Sequence, residues 1–149
     1  SPSATCTPCQ PGHQFNDSIA LGTTVADCIE CGTGQYQPQE GKTVCLDCNP
    51  GSIAPTTQLQ ECSTCDAGQH QTESGKSRCE DCVEGKYALN KGAVTCLNCL
   101  PGTRGDQTQQ SSCKDCSSGQ YRDGSQTDLT TCVPCPLGEF QDQTGQTFW

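Results

Sequence analysis

The chain contains no Met, one Trp and only three each of Phe and Tyr. Leu, Ile, Val and Phe together supply 19 of its 149 residues, below the roughly 20% under which chains read as disordered. A domain of this length ordinarily buries one sizeable apolar core. Here the apolar residues are too few and too evenly spread to make one. Basic residues are also scarce, 8 Lys and Arg against 17 Asp and Glu, for a net charge of −9. That balance repels polyanions, which excludes DNA and RNA as partners and disfavours an anionic membrane surface. No apolar run approaches the roughly 20 residues of a membrane helix, so no membrane span is expected. The sequence opens at Ser1 and shows no signal peptide, as expected of a processed or trimmed chain.

What the chain has instead is cysteine, 16 residues, with 16 Gly and 9 Pro. That cysteine content marks a disulfide scaffold; cross-links must stand in for a core. Every cysteine belongs to a C-x-x-C pair: Cys6/Cys9, Cys28/Cys31, Cys45/Cys48, Cys62/Cys65, Cys79/Cys82, Cys96/Cys99, Cys113/Cys116 and Cys132/Cys135. So many thiols on so little core require an oxidising compartment, so the expected location is extracellular, secreted or at the cell surface. The sequon Asn16-Asp17-Ser18 makes Asn16 a candidate glycosylation site.

The pairs recur with a period of 17 residues through the middle of the chain. All eight carry the same punctuation, C-x-x-C-x-x-G, ending at Gly12, Gly34, Gly51, Gly68, Gly85, Gly102, Gly119 and Gly138. Two residues beyond the glycine an aromatic recurs at Tyr36, Tyr87, Tyr121 and Phe140, with Phe15 one place later; Ile53, His70 and Arg104 fill that slot elsewhere. The whole of 1–149 is therefore one array of eight repeats, starting at Cys6, Cys28, Cys45, Cys62, Cys79, Cys96, Cys113 and Cys132. Residues 28–62 and 79–113 align without gaps, and the repeats opening at Cys45 and Cys96 both lack the turn glycine found at Gly41 and Gly92. A three-repeat, 51-residue super-repeat lies over the basic one.

One repeat reads as a hairpin. Residues 35–37 form a short strand, Pro38-Gln39-Glu40-Gly41 a turn, and 42–44 the return strand leading to Cys45. Strands this short need a clasp at the open end. No helical apolar spacing appears. The expected fold is small, disulfide-rich and mostly irregular, with short antiparallel hairpins in an elongated tandem-repeat rod and essentially no helix.

Two pairings satisfy the spacing. A ladder joins the second Cys of each pair to the first of the next: 9–28, 31–45, 48–62, 65–79, 82–96, 99–113 and 116–132. A crossed scheme, beginning 6–28 and 9–31, uses all sixteen. Its two-repeat period conflicts with the three-repeat super-repeat, whereas the ladder treats every copy alike; symmetry favours the ladder without excluding the alternative. The ladder leaves Cys6 and Cys135 over.

Other chemistries compete for these residues. C-x-x-C pairs also suit four-thiolate zinc sites, but zinc modules of that kind are commonly basic. Redox C-x-x-C motifs use a helix N-terminus, and no helix is expected. His13 and His70 are too few and too separated for a metal cluster or dyad and read as exposed loop residues. The acidic residues read as a solvated face rather than a calcium site. No phosphate loop, nucleophile elbow or carboxylate pair stands out; the expectation is no enzyme and no cofactor. The aromatic slot reads as a structural spine, and Phe148-Trp149 as either a loose tail or an anchor for another subunit.

The unit C-x-x-C-x-x-G-x-[Tyr/Phe]-x(4)-G-x(3)-C resembles the ephrin-receptor-like cysteine-rich repeat and is similar to the one-disulfide module of tumour-necrosis-factor receptors. The repeats at Cys31, Cys82 and Cys135 carry the resemblance best; those at Cys48 and Cys99 lack the aromatic and second glycine. It implies the ladder pairing and an extracellular rod, receptor ectodomain, matrix protein or surface fibre. The leading expectation is a structural protein whose copies join head to tail into a filament or surface appendage. Its joint would pair Cys135 with Cys6 of the next copy, near Phe148 and Trp149, across about as many residues as separate Cys9 from Cys28. The alternative is a receptor or adhesion ectodomain that binds a protein along its flank. Expected partners are further copies of the chain, with glycans or other extracellular proteins after them.

Overall fold

The computed structural model describes residues 7–16 and 27–148. Seven disulfides join Cys9–Cys28, Cys31–Cys45, Cys48–Cys62, Cys65–Cys79, Cys82–Cys96, Cys99–Cys113 and Cys116–Cys132. Their Cα–Cα distances run from 5.5 to 5.8 Å, the ordinary spacing for such a bond. Among the described residues there is no α-helix; the regular structure is seven two-stranded antiparallel hairpins.

The chain divides into two compact bodies. One takes the described residues up to Thr64 together with Glu73–Arg78; the other takes Cys65–Thr72 and the described residues from Cys79 onward. In the first body β1 (His13–Phe15) pairs with β2 (Cys28–Glu30), β3 (Gln35–Tyr36) with β4 (Leu46–Asp47), and β5 (Ser52–Ile53) with β6 (Ser63–Thr64). In the second, β7 (Gln69–His70) pairs with β8 (Glu80–Asp81), β9 (Lys86–Tyr87) with β10 (Leu97–Asn98), β11 (Thr103–Arg104) with β12 (Lys114–Asp115), and β13 (Gln120–Tyr121) with β14 (Val133–Pro134).

The return strand lies elsewhere than the sequence suggests. Strand β3 does not pair with 42–44; it pairs with β4, the two residues enclosed by the Cys45/Cys48 pair, in the register Gln35↔Asp47 and Tyr36↔Leu46. The reason is backbone bonding. The Cys48 N–H donates to the Gly34 carbonyl at 2.9 Å, which brings the C-x-x-C segment against the start of the preceding repeat. Residues 42–44 are then free to serve other groups: the Lys42 carbonyl accepts from Phe15 N–H, and the Val44 carbonyl accepts from the Gln37 side chain. His13 and His70 likewise lie on strands and are half-buried rather than on exposed loops.

Three backbone bonds recur and stack one repeat on the next. The second cysteine of a pair donates to the glycine carbonyl of the preceding repeat, as in Cys82→Gly68 and Cys99→Gly85. The same glycine's N–H donates to the following repeat, as in Gly34→Ala54 and Gly68→Ala88. The turn of the following repeat donates back to a cysteine carbonyl, as in Gly75→Cys48 and Gly92→Cys65. Packing reaches one repeat further still. A Cβ at Gly12 would overlap the Gln58 carbonyl, one at Gly34 the Gly75 carbonyl, and one at Gly68 the Gln109 carbonyl. These glycines have φ near +82°, a region that side chains avoid. In the two repeats without a turn glycine, Gln58 (φ 62°) and Gln109 (φ 59°) adopt the left-handed turn anyway.

The buried centre is sulfur. Cys31, Cys48, Cys65, Cys82, Cys99 and Cys116 are buried almost completely, helped by Ala54 and Ala88. The bond geometry thus takes the place that interdigitated aliphatic side chains hold in a larger domain.

Candidate functional site

With the interior given over to disulfides, function has to come from side chains displayed on the repeats. Fourteen of the described cysteines are oxidised in pairs, so their sulfurs are not available as thiolate ligands in this state. Cys135 is the one free cysteine among the described residues; it is half-buried, and its N–H donates to the Gly119 carbonyl. Cys6 and Trp149 lie outside the described residues. Phe148 is exposed, with its carbonyl accepting from the Gln141 side chain at 3.1 Å. Asn16 follows β1, half-buried, and its N–H donates to the Asp27 carbonyl at 2.8 Å; Asp17 and Ser18 of the sequon lie outside the described residues.

The clearest surface feature falls on the repeat closed by Cys82–Cys96 and the two residues on either side of its successor's first turn. Val83, Leu89, Val94, Leu97 and Leu100 are all between 45% and 65% exposed. In a chain with so few apolar residues, five solvent-facing ones within one stretch of 83–100 form a concentration that burial did not demand. Composition hid it, because each residue is unremarkable alone; aligning the repeats and noting which apolar side chains fall outside the glycine-plus-two slot would have marked them.

The same repeat holds a cleft of about 300 Å³, lined by His70, Asp81, Val83, Lys86, Thr95 and Cys96. His70 occupies the slot where other repeats put Tyr, Phe, Ile or Arg. Its Nδ1 lies 3.1 Å from the Glu80 carbonyl and 3.2 Å from Cys96 Sγ, and its Nε2 lies 4.0 Å from Glu80 Oε2.

Arg122 is the largest group that sequence reasoning missed. It stands three residues after Gly119, where other repeats have Phe15, Gln37, Ala54, Gln71, Ala88, Gly105 or Gln141. It is 1% exposed. Its Nε donates to the Thr103 carbonyl at 2.5 Å, and its terminal nitrogen donates to the carbonyls of Cys99 (2.7 Å) and Leu100. Burial lowers its pKa, while the nearby Asp128 and Asp123 carboxylates act in the opposite sense. The guanidinium remains charged in any accessible pH range.

Four carboxylates, Glu73, Asp106, Asp123 and Asp128, are held as anions by their neighbours. Asp106 contacts Arg104 at 2.6 Å and Lys114 at 3.0 Å, and the bond from Lys114 keeps its pKa low. Glu73 is lowered by its bond from Lys76, and Asp66 meets Lys91 at 2.8 Å. Asp123 is lowered by the Ser125 hydroxyl, and Asp128 is lowered to about 2 by bonds from Thr130 and Thr131. Each closes a local turn or a surface ion pair.

No helix among the described residues is long and apolar enough to cross a membrane. No curated protein matches the chain. The family profile of the Tyrosine-protein kinase ephrin type A/B receptor-like repeat matches residues 19–58 and 72–116, more than half the sequence. Those segments contain the whole of the Cys31–Cys45, Cys82–Cys96 and Cys99–Cys113 rungs, and this match together with the disulfide-rich fold suggests an extracellular receptor-like or adhesion module. The chain belongs to the ephrin-receptor-like cysteine-rich repeat family.

Proposed function

We propose that the chain is a non-catalytic extracellular recognition module, receptor-like or adhesive, whose ladder presents a docking face to a protein partner. The observation that carries this reading is the exposed apolar set Val83, Leu89, Val94, Leu97 and Leu100 on one stretch of the second body. Partner chemistry follows from charge. The chain as a whole carries a net charge of −9, so long-range attraction favours a basic protein that offers an apolar spot. Four carboxylates fit the non-catalytic part: Glu73, Asp106, Asp123 and Asp128 are held ionised by neighbours, whereas a general acid needs a raised pKa. Random peptides displayed on phage would be selected on the oxidised protein and re-tested on a Val83→Ser/Leu97→Ser/Leu100→Ser variant. Enrichment of apolar-basic peptides that lose about tenfold or more in affinity on the variant supports the face. Peptides that bind both proteins equally refute it.

A second reading is favoured by the final repeat. There Leu137 is fully exposed, Phe140 is 81% exposed and Cys135 has no disulfide partner, although Tyr121 in the same slot one repeat earlier is buried. We propose that this face docks on a second copy, head to tail, with Cys135 available for a bond to Cys6 of that copy. Sedimentation under oxidising conditions and non-reducing electrophoresis test it. Concentration-dependent oligomers that Phe140→Ser abolishes support the stack; a monomer at all concentrations ends it.

A further inference from the structure

We propose that Cys82–Cys96 is the reducible rung of the ladder, and that opening it creates a binding site for zinc or a similar borderline-soft divalent cation. Three observations converge on this bond. First, every rung joins a buried cysteine to a half-buried one, and here the half-buried partner, Cys96, also borders the cleft. An incoming thiolate therefore reaches Cys96. Second, Lys86 lines the same cleft, where its positive charge offsets that of Asp81 for an arriving thiolate. Third, the His70 ring lies against the bond, with Nδ1 3.2 Å from Cys96 Sγ, where Tyr36, Ile53, Tyr87, Arg104, Tyr121 and Phe140 stand in the equivalent slot of other described repeats.

The exchange is a two-electron transfer from a dithiol reductant. One thiolate of the dithiol attacks Cys96 Sγ, and a mixed disulfide forms as the Cys82–Cys96 bond breaks. Cys82 leaves with the electron pair and takes a proton. The second thiol of the reductant then displaces Cys96, which also takes a proton, and the reductant departs as its own disulfide. Two electrons and two protons pass from the dithiol to the protein.

In the oxidised structure the ligand atoms of His70, Cys82 and Cys96 all lie within 4.8 Å of one another, and reduction frees both sulfurs to bind. Two thiolates and one imidazole are three ligands of a tetrahedral zinc site, and relaxation of the opened bond allows the usual Zn–S distance of about 2.3 Å. The imidazole is prepared for the change. In the oxidised state Nδ1–H donates to the Glu80 carbonyl at 3.1 Å. With Nδ1 on a metal the proton moves to Nε2, which faces the Glu80 carboxylate at 4.0 Å. Metal-bound imidazoles commonly rest their outer N–H on a carboxylate of this kind. The fourth position falls to a water; Asp81 lines the cleft, but its carboxylate accepts from the Gln69 side chain at 2.8 Å.

The test uses the oxidised protein, graded dithiothreitol, acid quenching, alkylation and peptide mapping. Cys82 and Cys96 are expected to be alkylated first, at about tenfold lower dithiothreitol than Cys65–Cys79 or Cys99–Cys113. His70→Tyr, which installs the residue three other repeats carry in this slot, is expected to return the bond to the order of its neighbours. The singly reduced protein, isolated without alkylation, is then given Zn²⁺ in anaerobic buffer. One equivalent should protect both cysteines from alkylating agent, reversibly with a chelator, and His70→Tyr should weaken that protection by about tenfold or more. Co²⁺ in place of Zn²⁺ should give thiolate charge-transfer absorption. Reduction of another rung first, or of all rungs together in the wild-type protein, overturns the proposal without need of any variant. So does a singly reduced Cys82/Cys96 species that Zn²⁺ fails to protect.

Discussion

Replacing Arg122 by Ala is expected to loosen the repeats around it by about 3 kcal/mol while leaving all seven disulfides formed. The magnitude follows from the contacts. The guanidinium bonds to three carbonyls, of Cys99, Leu100 and Thr103, and hydrogen bonds to a charged group contribute roughly 1.5–3 kcal/mol each. Against this stands the recovered hydration of the guanidinium in the wild-type unfolded chain, together with water that can reach the orphaned carbonyls in so thin a structure. Truncating one side of a buried charged arrangement typically costs about 3–5 kcal/mol, and the thin layer places this site at the low end. The assay is hydrogen exchange at the amides the residue organises. Gly102 N–H donates to the Arg122 carbonyl at 2.7 Å, and Cys116 N–H donates to Gly102 at 2.8 Å. Both should exchange about 100-fold faster in Arg122→Ala, while the Gly34 amide in the other body keeps its wild-type rate. Arg122→Gln should lie between, since Gln fills this position in other repeats. A change below about fivefold at Gly102 and Cys116 would show that the carbonyls are already hydrated and that the guanidinium is dispensable.

Gly34→Ala and Gly119→Ala separate two costs that usually come together. Both glycines have positive φ, +82° and +78°, but a Cβ at Gly34 overlaps the Gly75 carbonyl whereas one at Gly119 meets nothing within 4 Å. Gly119→Ala is expected to cost about 1–2 kcal/mol in urea unfolding, and Gly34→Ala about 3 kcal/mol or more; equal losses would refute the stacking of alternate repeats. Gln109→Gly should stabilise by about 0.5–1 kcal/mol, because relief of a left-handed φ outweighs the added chain freedom of glycine; a lower midpoint in urea would refute it. Asp128 sets a pH window. Its folded pKa of about 2 lies below the ordinary 3.8, so its contribution is full above about pH 4 and is lost as pH falls through about 2. Asp128→Asn should flatten the melting-temperature profile in that range, and an unchanged profile would refute the turn's dependence on the carboxylate.

The seven bonds of the structure run in the ladder order, and the glycine punctuation that revealed the repeat is the row of residues held at positive φ. Both are legible because identical units repeat identical local demands. The strand partner was not legible. Two-residue strands such as Gln35–Tyr36 and Leu46–Asp47 have no alternation to read, and their register is set by the Cys48→Gly34 backbone bond. Contacts between alternate repeats, as from Gly12 to Gln58, join residues far apart in sequence through backbone atoms that leave no side-chain signature. Arg122 and His70 escape the repeat reading for the opposite reason: each departs from the repeat once, and only geometry reveals that the departure is buried or set against a sulfur.

The covalent route through the ladder also governs how the chain bears load. Tension applied along the backbone passes from Cys28 to Cys31, crosses the Cys31–Cys45 bond, and continues to Cys48 without entering the loop between. With about 5.6 Å across the bond and three peptide links beyond it, a repeat lengthens to about 17 Å at most, against about 60 Å for the same residues unlinked. Each loop is slack that no pull can draw out, so the oxidised chain behaves as a tether of almost fixed length. Cutting one rung releases one loop and adds a single defined step of extension.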